Sequence, residues 1–381
     1  VNSAGLQIAY LSADDPRNKK VWSGTHYNIY RSLQALGNVD ILGPYKPENA
    51  LLAGKIMNQL SLRLFKKRID YRHGARLAKA YGKYFSEKLN NGKYDLIVAP
   101  AASAELSFLQ TKIPVVYITD GTFSSCLNYH KALTDLTARS VEEGNTIEQQ
   151  AIDKSTVTIV SSEWAARSAI RTYHCDPEKL KVLPFGANFE KIPTADELNV
   201  EKPAVWKLLF VGVYWESKGG EIAYNCFREL ADKGYPVELT VLGCIPPEQF
   251  RHGKMKVIPF IDKNSGEGQK KLFEIFLQHH ILILPTRFDC TPIVINESSA
   301  FGIPSIVAKT GGVEGHLKNG VNGFLVDYND KGKGYAEQIE KLIKEPEQYI
   351  ALRKSSRILY DEKLNWNSWT EEFKKIVARI I

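Results

Sequence analysis

The chain has 381 residues, of which 24% are charged and 44% apolar, with 50 Lys and Arg against 43 Asp and Glu. That length suggests two domains with substantial cores. The five cysteines are scattered and lack CxxC spacing, which argues against a disulfide frame or a zinc centre. No apolar run approaches the ~20 residues of a bilayer-spanning helix, and no signal-peptide pattern is visible, so a cytoplasmic chain is expected.

Residues 6–11 (LQIAYL) read as a first buried strand. The following loop ends at Ser23-Gly24-Thr25, where a helix begins with Tyr27, Ile29, Tyr30 and Leu33 at helical spacing. Gly24 lets the backbone approach a ligand closely, although a single glycine also serves a plain turn. Asp14 and Asp15 lie in a Pro-containing loop without DxD spacing and read as a solvated turn, so no metal site is expected.

The charge asymmetry is concentrated in residues 51–90, where ten Lys and Arg face two Asp and Glu, an excess as large as the whole chain's +7. Apolar residues punctuate this run at helical intervals. Three readings stand: a helix on an anionic membrane surface, a face for an anionic acceptor, or a solvated helix face.

YDLIVAP (94–100) and IPVVYITD (113–120) are two more strands, the second delivering Asp120 at a carboxyl end, where ligands of open α/β sheets bind. Asp120 is suited to a sugar hydroxyl, to an acceptor's proton, or to capping the turn. A helix through VEEGNTIEQQAIDKS precedes a strand and a helix capped at Ser161 or Ser162, with Glu163 completing a capping box. KIPTADELNVEKPA (191–204) is polar and proline-containing, and reads as a linker. These boundaries divide the chain into domains at 1–190 and 205–360, followed by a terminal helix over 361–381.

In the second half, a strand ending at Val211 leads through Gly212 to Lys218-Gly219-Gly220 and a helix. VELTVLG is the next strand, and KVIPFIDKN carries a turn around Phe260. The apolar run 281–284 ends at Pro285, and a polar loop then carries Arg287 and Asp289. Thr291 is expected as the N-cap of the next helix and Pro292 as its first residue, leaving the N–H groups of Ile293 and Val294 free for an anion. Glu297 lies roughly 7–8 Å along that helix at ~1.5 Å per residue. A strand from Ser305 to Ala308 follows, and Gly311-Gly312 is expected to open another helix.

Asp289 with Glu297, followed by SAFGIPSIVAKTGG and GVNGFLV, resembles the signature of the retaining glycosyltransferases of family 4. The likeness extends over most of the chain. It implies the GT-B fold: two Rossmann-like parallel-sheet α/β domains facing a cleft, with a C-terminal helix crossing back to the first. It also implies transfer of a sugar from a nucleotide diphosphate donor, UDP- or GDP-linked, to a glycan, lipid-linked or small-molecule acceptor, with no metal or other cofactor. In that family a Glu at the place of Asp289 works on donor sugar hydroxyls, and the counterpart of Glu297 binds the ribose. Lys218, the helix mouth at Thr291, Pro292, Ile293 and Val294, and the Gly24-Thr25 loop would hold the diphosphate, with Arg287 as an additional cation. Backbone groups near Phe260 would cradle the base, with its identity left open.

Four departures accompany the resemblance. Val213 stands where relatives carry a diphosphate-clamping Arg, Asp120 where many carry a His, Asp289 where a Glu is usual, and Gly315 where a Glu is common. The alternatives are a GT-B sugar-nucleotide epimerase, a nicotinamide-dependent oxidoreductase, and a non-catalytic protein that binds nucleotide-sugars or anionic surfaces. No GxGxxG with a following acid supports the oxidoreductase. No nucleic-acid partner is expected.

Overall fold

The computed structural model describes residues 5–194, 196–198 and 201–381, so three positions of the expected linker lie outside the described residues. The chain divides into two compact units, residues 1–183 with 370–381, and residues 184–369. The divisions therefore fall at 183 and 369, where the sequence suggested 190 and 361.

The first unit contains β1 (Leu6–Tyr10), α1 (Thr25–Gln34), β2 (Gly37–Ile41), α2 (Glu48–Phe65), α3 (Ala75–Asn90), β3 (Leu96–Pro100) and α4 (Ser103–Ser107). It continues with β4 (Val115–Thr119), α5 (Phe123–Cys126), α6 (Ala138–Lys154), β5 (Val157–Val160), α7 (Glu163–Tyr173) and β6 (Leu180–Val182). The strands form one parallel sheet in the order β2-β1-β3-β4-β5-β6. β3, β4 and β5 are buried along their whole length, as continuous apolar runs in a sheet covered on both faces must be. Ser162 caps α7 by accepting from the Ala165 N–H. Glu163 is therefore the first helical residue, too early to complete the expected capping box.

The second unit opens with β7 (Trp206–Val211), α8 (Gly220–Asp232), β8 (Val237–Leu242), β9 (Met255–Ile258), α9 (Gly266–Gln278) and β10 (Ile281–Leu284). Then come α10 (Ile293–Ala300), β11 (Ser305–Ala308), β12 (Gly323–Val326), α11 (Lys333–Lys344), α12 (Pro346–Glu362) and α13 (Trp366–Val377), whose last residues fall in the first unit. Its parallel sheet runs β12-β11-β10-β7-β8-β9. This is the doubly wound order in which winding reverses between β7 and β10, so a crevice opens at the carboxyl ends of those two strands. Trp369 is fully buried, and Trp366 stacks on Phe185 while donating to Asn188 Oδ1 at 3.0 Å, so both have packing roles.

Candidate functional site

Two loops meet at the reversal point of the second sheet, one after β7 and one after β10. The first is closed by backbone bonds from Lys218 to Tyr214 and from Gly220 to Trp215, and it is joined to the second by Arg287 N–H donating to Ser217 O at 2.9 Å. Gly219 sits at φ +73°, and a Cβ there would lie 2.0 Å from Pro285 O, so only glycine allows the loops to approach this closely. Gly212 plays a spatial role: a Cβ would come within 2.7 Å of the Lys218 stem.

This approach places the Lys218 ammonium 2.5 Å from Asp289 Oδ2 and 3.4 Å from Phe288 O. Asp289 is buried at the floor of the loop, where its carbonyl accepts from Gly312 N–H at 3.0 Å. Arg287 lies with its guanidinium 3.5 Å from the centre of the Tyr328 ring, and its buried Nη1 has no hydrogen-bond partner. Stacked on an aromatic face and aimed inward, it is held as a fixed cation.

A second ion pair lies on α10. Glu297 is almost fully buried, and its Oε1 accepts from Lys263 Nζ at 3.2 Å. Lys263 belongs to the segment after β9 that also holds Phe260, whose side chain is 67% exposed. The helix is fixed from below by a buried polar network. Asn296 donates to Phe185 O at 2.8 Å and contacts His316 Nδ1, and Asn322 donates to Ser299 Oγ and to His316 O. Burial holds His316 neutral, with its pKa lowered to about 3. At the far end Arg353, itself buried, donates to the carbonyls of Gly302 and Phe301, groups a helix terminus otherwise leaves unpaired.

The amino end of α10 differs from expectation. Pro292, at φ −76° and ψ 80°, is the N-cap, and no side chain caps the helix, so Thr291 lies one residue outside. The Ile293 N–H is not free, because it donates to Thr291 O at 2.9 Å. Pro292 is thus the centre of an inverse γ-turn, whose dihedrals bring the Thr291 carbonyl onto the Ile293 N–H. Val294 remains in the first turn and is partly buried against the core. Likewise, Gly311-Gly312 opens only a 3-10 turn over Val313–Gly315, not a helix.

In the first unit, Trp22, Ser23 and Gly24 all take positive φ (47°, 57° and 97°), which for the two non-glycine residues is strained. Gly24 thereby becomes the N-cap of α1, and Thr25, its first residue, is buried. Trp22 Nε1 donates to Asp120 Oδ2 at 3.0 Å, tying the loop after β1 to the end of β4. A cavity of about 460 Å³ opens at the carboxyl ends of β1 and β3, with Lys46, Lys55, Arg72, His73, Tyr81 and Glu105 among its lining residues. Burial raises the Glu105 carboxyl to about 7, although it accepts from Ala13 N–H.

Lys218, Asp289, Arg287 and Gly212 are thus brought together in the second unit, and Gly24, Thr25 and Asp120 belong to the first. Lys263 and Trp22 escaped the sequence reading. Lys263 follows Phe260 by three residues in an unpatterned DKN turn, and Trp22 has nothing in sequence to link it to a carboxylate 98 residues on. Among the described residues no group of three or more His, Cys, Asp or Glu is placed to hold a metal ion.

The family model described as "Glycosyl transferases group 1" matches residues 206–345, the stretch that contains both ion pairs. A curated relative, D-inositol 3-phosphate glycosyltransferase of Corynebacterium diphtheriae, is 24% identical over 251 residues, which is 61% of this chain and 57% of that protein. The chain therefore matches little more than half of that relative's length. Among solved structures, sucrose-phosphate synthase of Thermosynechococcus elongatus superposes with a TM-score of 0.71 at 16% identity, covering 98% of this chain and 99% of that one. Anabaena HepE in complex with UDP and glucose superposes with a TM-score of 0.64 at 16% identity, covering 98% and 100%. The fold of the chain is accordingly α/β of the GT-B type. Among its described residues no helix is long and apolar enough to cross a membrane.

Proposed function

We propose that the chain is a retaining, metal-independent glycosyltransferase of the family 4 type. It moves a sugar from a UDP- or GDP-linked donor to a glycan, lipid-linked or small-molecule hydroxyl. The observation that carries this reading is the pair of lysine–carboxylate contacts, Lys218–Asp289 and Lys263–Glu297, at the reversal point of a sheet that matches group 1 glycosyl transferases. UDP and glucose in HepE, and the sugar-transfer name of the corynebacterial relative, support the same substrate class.

In this reading Lys218 is a positive charge already held in place, so the donor diphosphate meets an oriented ammonium rather than a mobile one. Asp289 shares that ammonium and directs its remaining lone pairs to the sugar hydroxyls. Glu297 accepts from the ribose, with Lys263 holding the carboxylate in place. The C1–O bond to the diphosphate breaks while the acceptor oxygen attacks the same face, and the acceptor's proton passes to the departing phosphate oxygen. Lys218 and Arg287 offset the charge that develops there. The acceptor is taken by the first unit, whose cavity offers cations and hydroxyls to a polar, anionic molecule.

The test is turnover of a panel of nucleotide-sugars, with and without a chelator, with product anomers assigned by proton NMR. Retained configuration and chelator-insensitive turnover are expected. An inverted product, loss of activity on chelation, or donor consumption that gives an epimer without any acceptor would overturn the reading.

A further inference from the structure

Amphipathic helices normally turn their apolar side to the core. α3 does so, with Leu77, Tyr81, Phe85 and Leu89 buried and Arg76, Lys79 and Lys88 outside. α2 does the reverse. Its core-facing side is held by small residues, with Gly54 against the Tyr71 ring and Ser61 donating to Lys67 O. Its outer side carries Leu52, Ile56, Leu60 and Leu64, which are 60, 52, 51 and 71% exposed, with Met57 and Phe65 beside them at 50 and 71%.

Those four residues are spaced four apart, so they form a single ridge about 18 Å long at ~1.5 Å per residue. Lys55 and Arg63 flank the ridge, Lys66 and Lys67 follow it directly, and Glu48 in the first turn is the helix's one acid. An exposed apolar row of this length marks an interaction surface.

We propose that the outer face of α2 docks onto an anionic lipid bilayer, with the leucine–isoleucine ridge entering the headgroup boundary and the flanking lysines and arginine meeting lipid phosphates. Charge complementarity selects this occupant, since basic residues border the ridge and acids are all but absent from it. Area argues in the same direction. One helical ridge offers on the order of a few hundred Å², well below the ~800 Å² each partner of a stable dimer contributes, whereas a bilayer needs only one apolar face. One edge of the ridge, at Leu51 and Lys55, also lines the 460 Å³ cavity, so docking holds that cavity near the lipid headgroups. The inference stands on α2 alone and does not depend on the sugar-transfer reading.

The test is flotation of the full chain with phosphatidylcholine vesicles, with and without phosphatidylglycerol, over a range of salt. Wild type is expected to float with the anionic vesicles and to bind neutral ones at least tenfold more weakly. The double variant Ile56→Ser/Leu60→Ser, which changes only exposed side chains, is expected to lose at least tenfold in anionic-vesicle binding while keeping its melting temperature. Arg63→Glu/Lys67→Glu is expected to lose at least the roughly fivefold per cation that a basic residue contributes at such a surface. Wild-type binding by the serine variant would overturn the ridge's role, and equal binding to neutral vesicles would overturn the charge selection. A concentration-dependent dimer that the serine variant abolishes, without vesicle binding, would assign the face to a second copy. Donor-induced melting shifts are expected to survive in both variants, so failure here is distinct from failure of the donor site.

Discussion

Glu297 is the most discriminating position for the donor site, because structure and function make separable predictions there. Its carboxylate is buried and bonded to Lys263, whose side chain retains 34% exposure. Replacing it as Glu297→Gln keeps the shape and removes the charge. Lys263 then turns toward water, so the cost to stability is on the order of 1 kcal/mol, nearer a surface pair than a buried one. The donor loses more selectively. A charge-assisted hydrogen bond to a ribose hydroxyl contributes about 1.5–3 kcal/mol and roughly twice as much as a neutral one, so Glu297→Gln weakens nucleotide binding by about 4- to 13-fold. Glu297→Ala removes the interaction and weakens binding by about 10- to 150-fold on the same scale. Titration calorimetry with UDP and GDP measures the affinity, and urea unfolding of the nucleotide-free chain measures the stability. Wild-type affinity in Glu297→Ala would refute the assignment, as would a loss of affinity no larger than the loss of stability explains.

Lys218→Ala is expected to lower turnover by about 10²–10³ while changing donor affinity less, as removal of a group that acts on developing charge should; steady-state kinetics with calorimetry separates the two. Val213→Arg adds a cation at an exposed position that carries an Arg in the resembled family, and a several-fold tighter donor KM is expected. Gly219→Ala forces a Cβ against Pro285 O at φ +73° and is expected to cost at least ~2 kcal/mol in urea unfolding. Gly234→Ala, at φ +84° with open space around it, serves as the control and costs about 1 kcal/mol. Burial lowers His26, His279 and His280 to about 4 and His316 to about 3, so below pH 6.5 the unfolded chain binds protons the native state refuses. Stability is therefore full above pH 6.5 and falls toward pH 4, by up to ~1.4 kcal/mol per pH unit for each histidine; urea midpoints at pH 5 and pH 7 check this, and His316→Gln flattens the slope.

The sheets were legible because a parallel strand covered on both faces is written as an unbroken apolar run, as in Ile281–Leu284 and Val115–Thr119. Lys218 and Asp289 could be singled out because the residues around them resemble the family 4 signature; their place after an apolar run alone would have left them as solvated loop residues. Three features were not legible, for different reasons. The Lys263–Glu297 and Trp22–Asp120 bonds span 34 and 98 residues, and nothing local encodes a partner at that distance. The start of α10 turned on one ψ angle at Pro292, which residue type does not fix. The periodicity of 51–90 announced helices but not which face turns inward. Gly54 and Ser61 decide that for α2, by letting the helix approach the core where larger side chains would hold it off.

The central claim is that the diphosphate of an activated sugar binds at Lys218 and Arg287, with its ribose on Glu297. A crystal structure of the chain soaked with a UDP- or GDP-sugar tests this most directly. Phosphate oxygens within hydrogen-bonding distance of Lys218 Nζ, and ribose oxygens within that distance of Glu297, are the predicted result. A nucleotide bound elsewhere, with neither Lys218 nor Glu297 in contact with it, would contradict it.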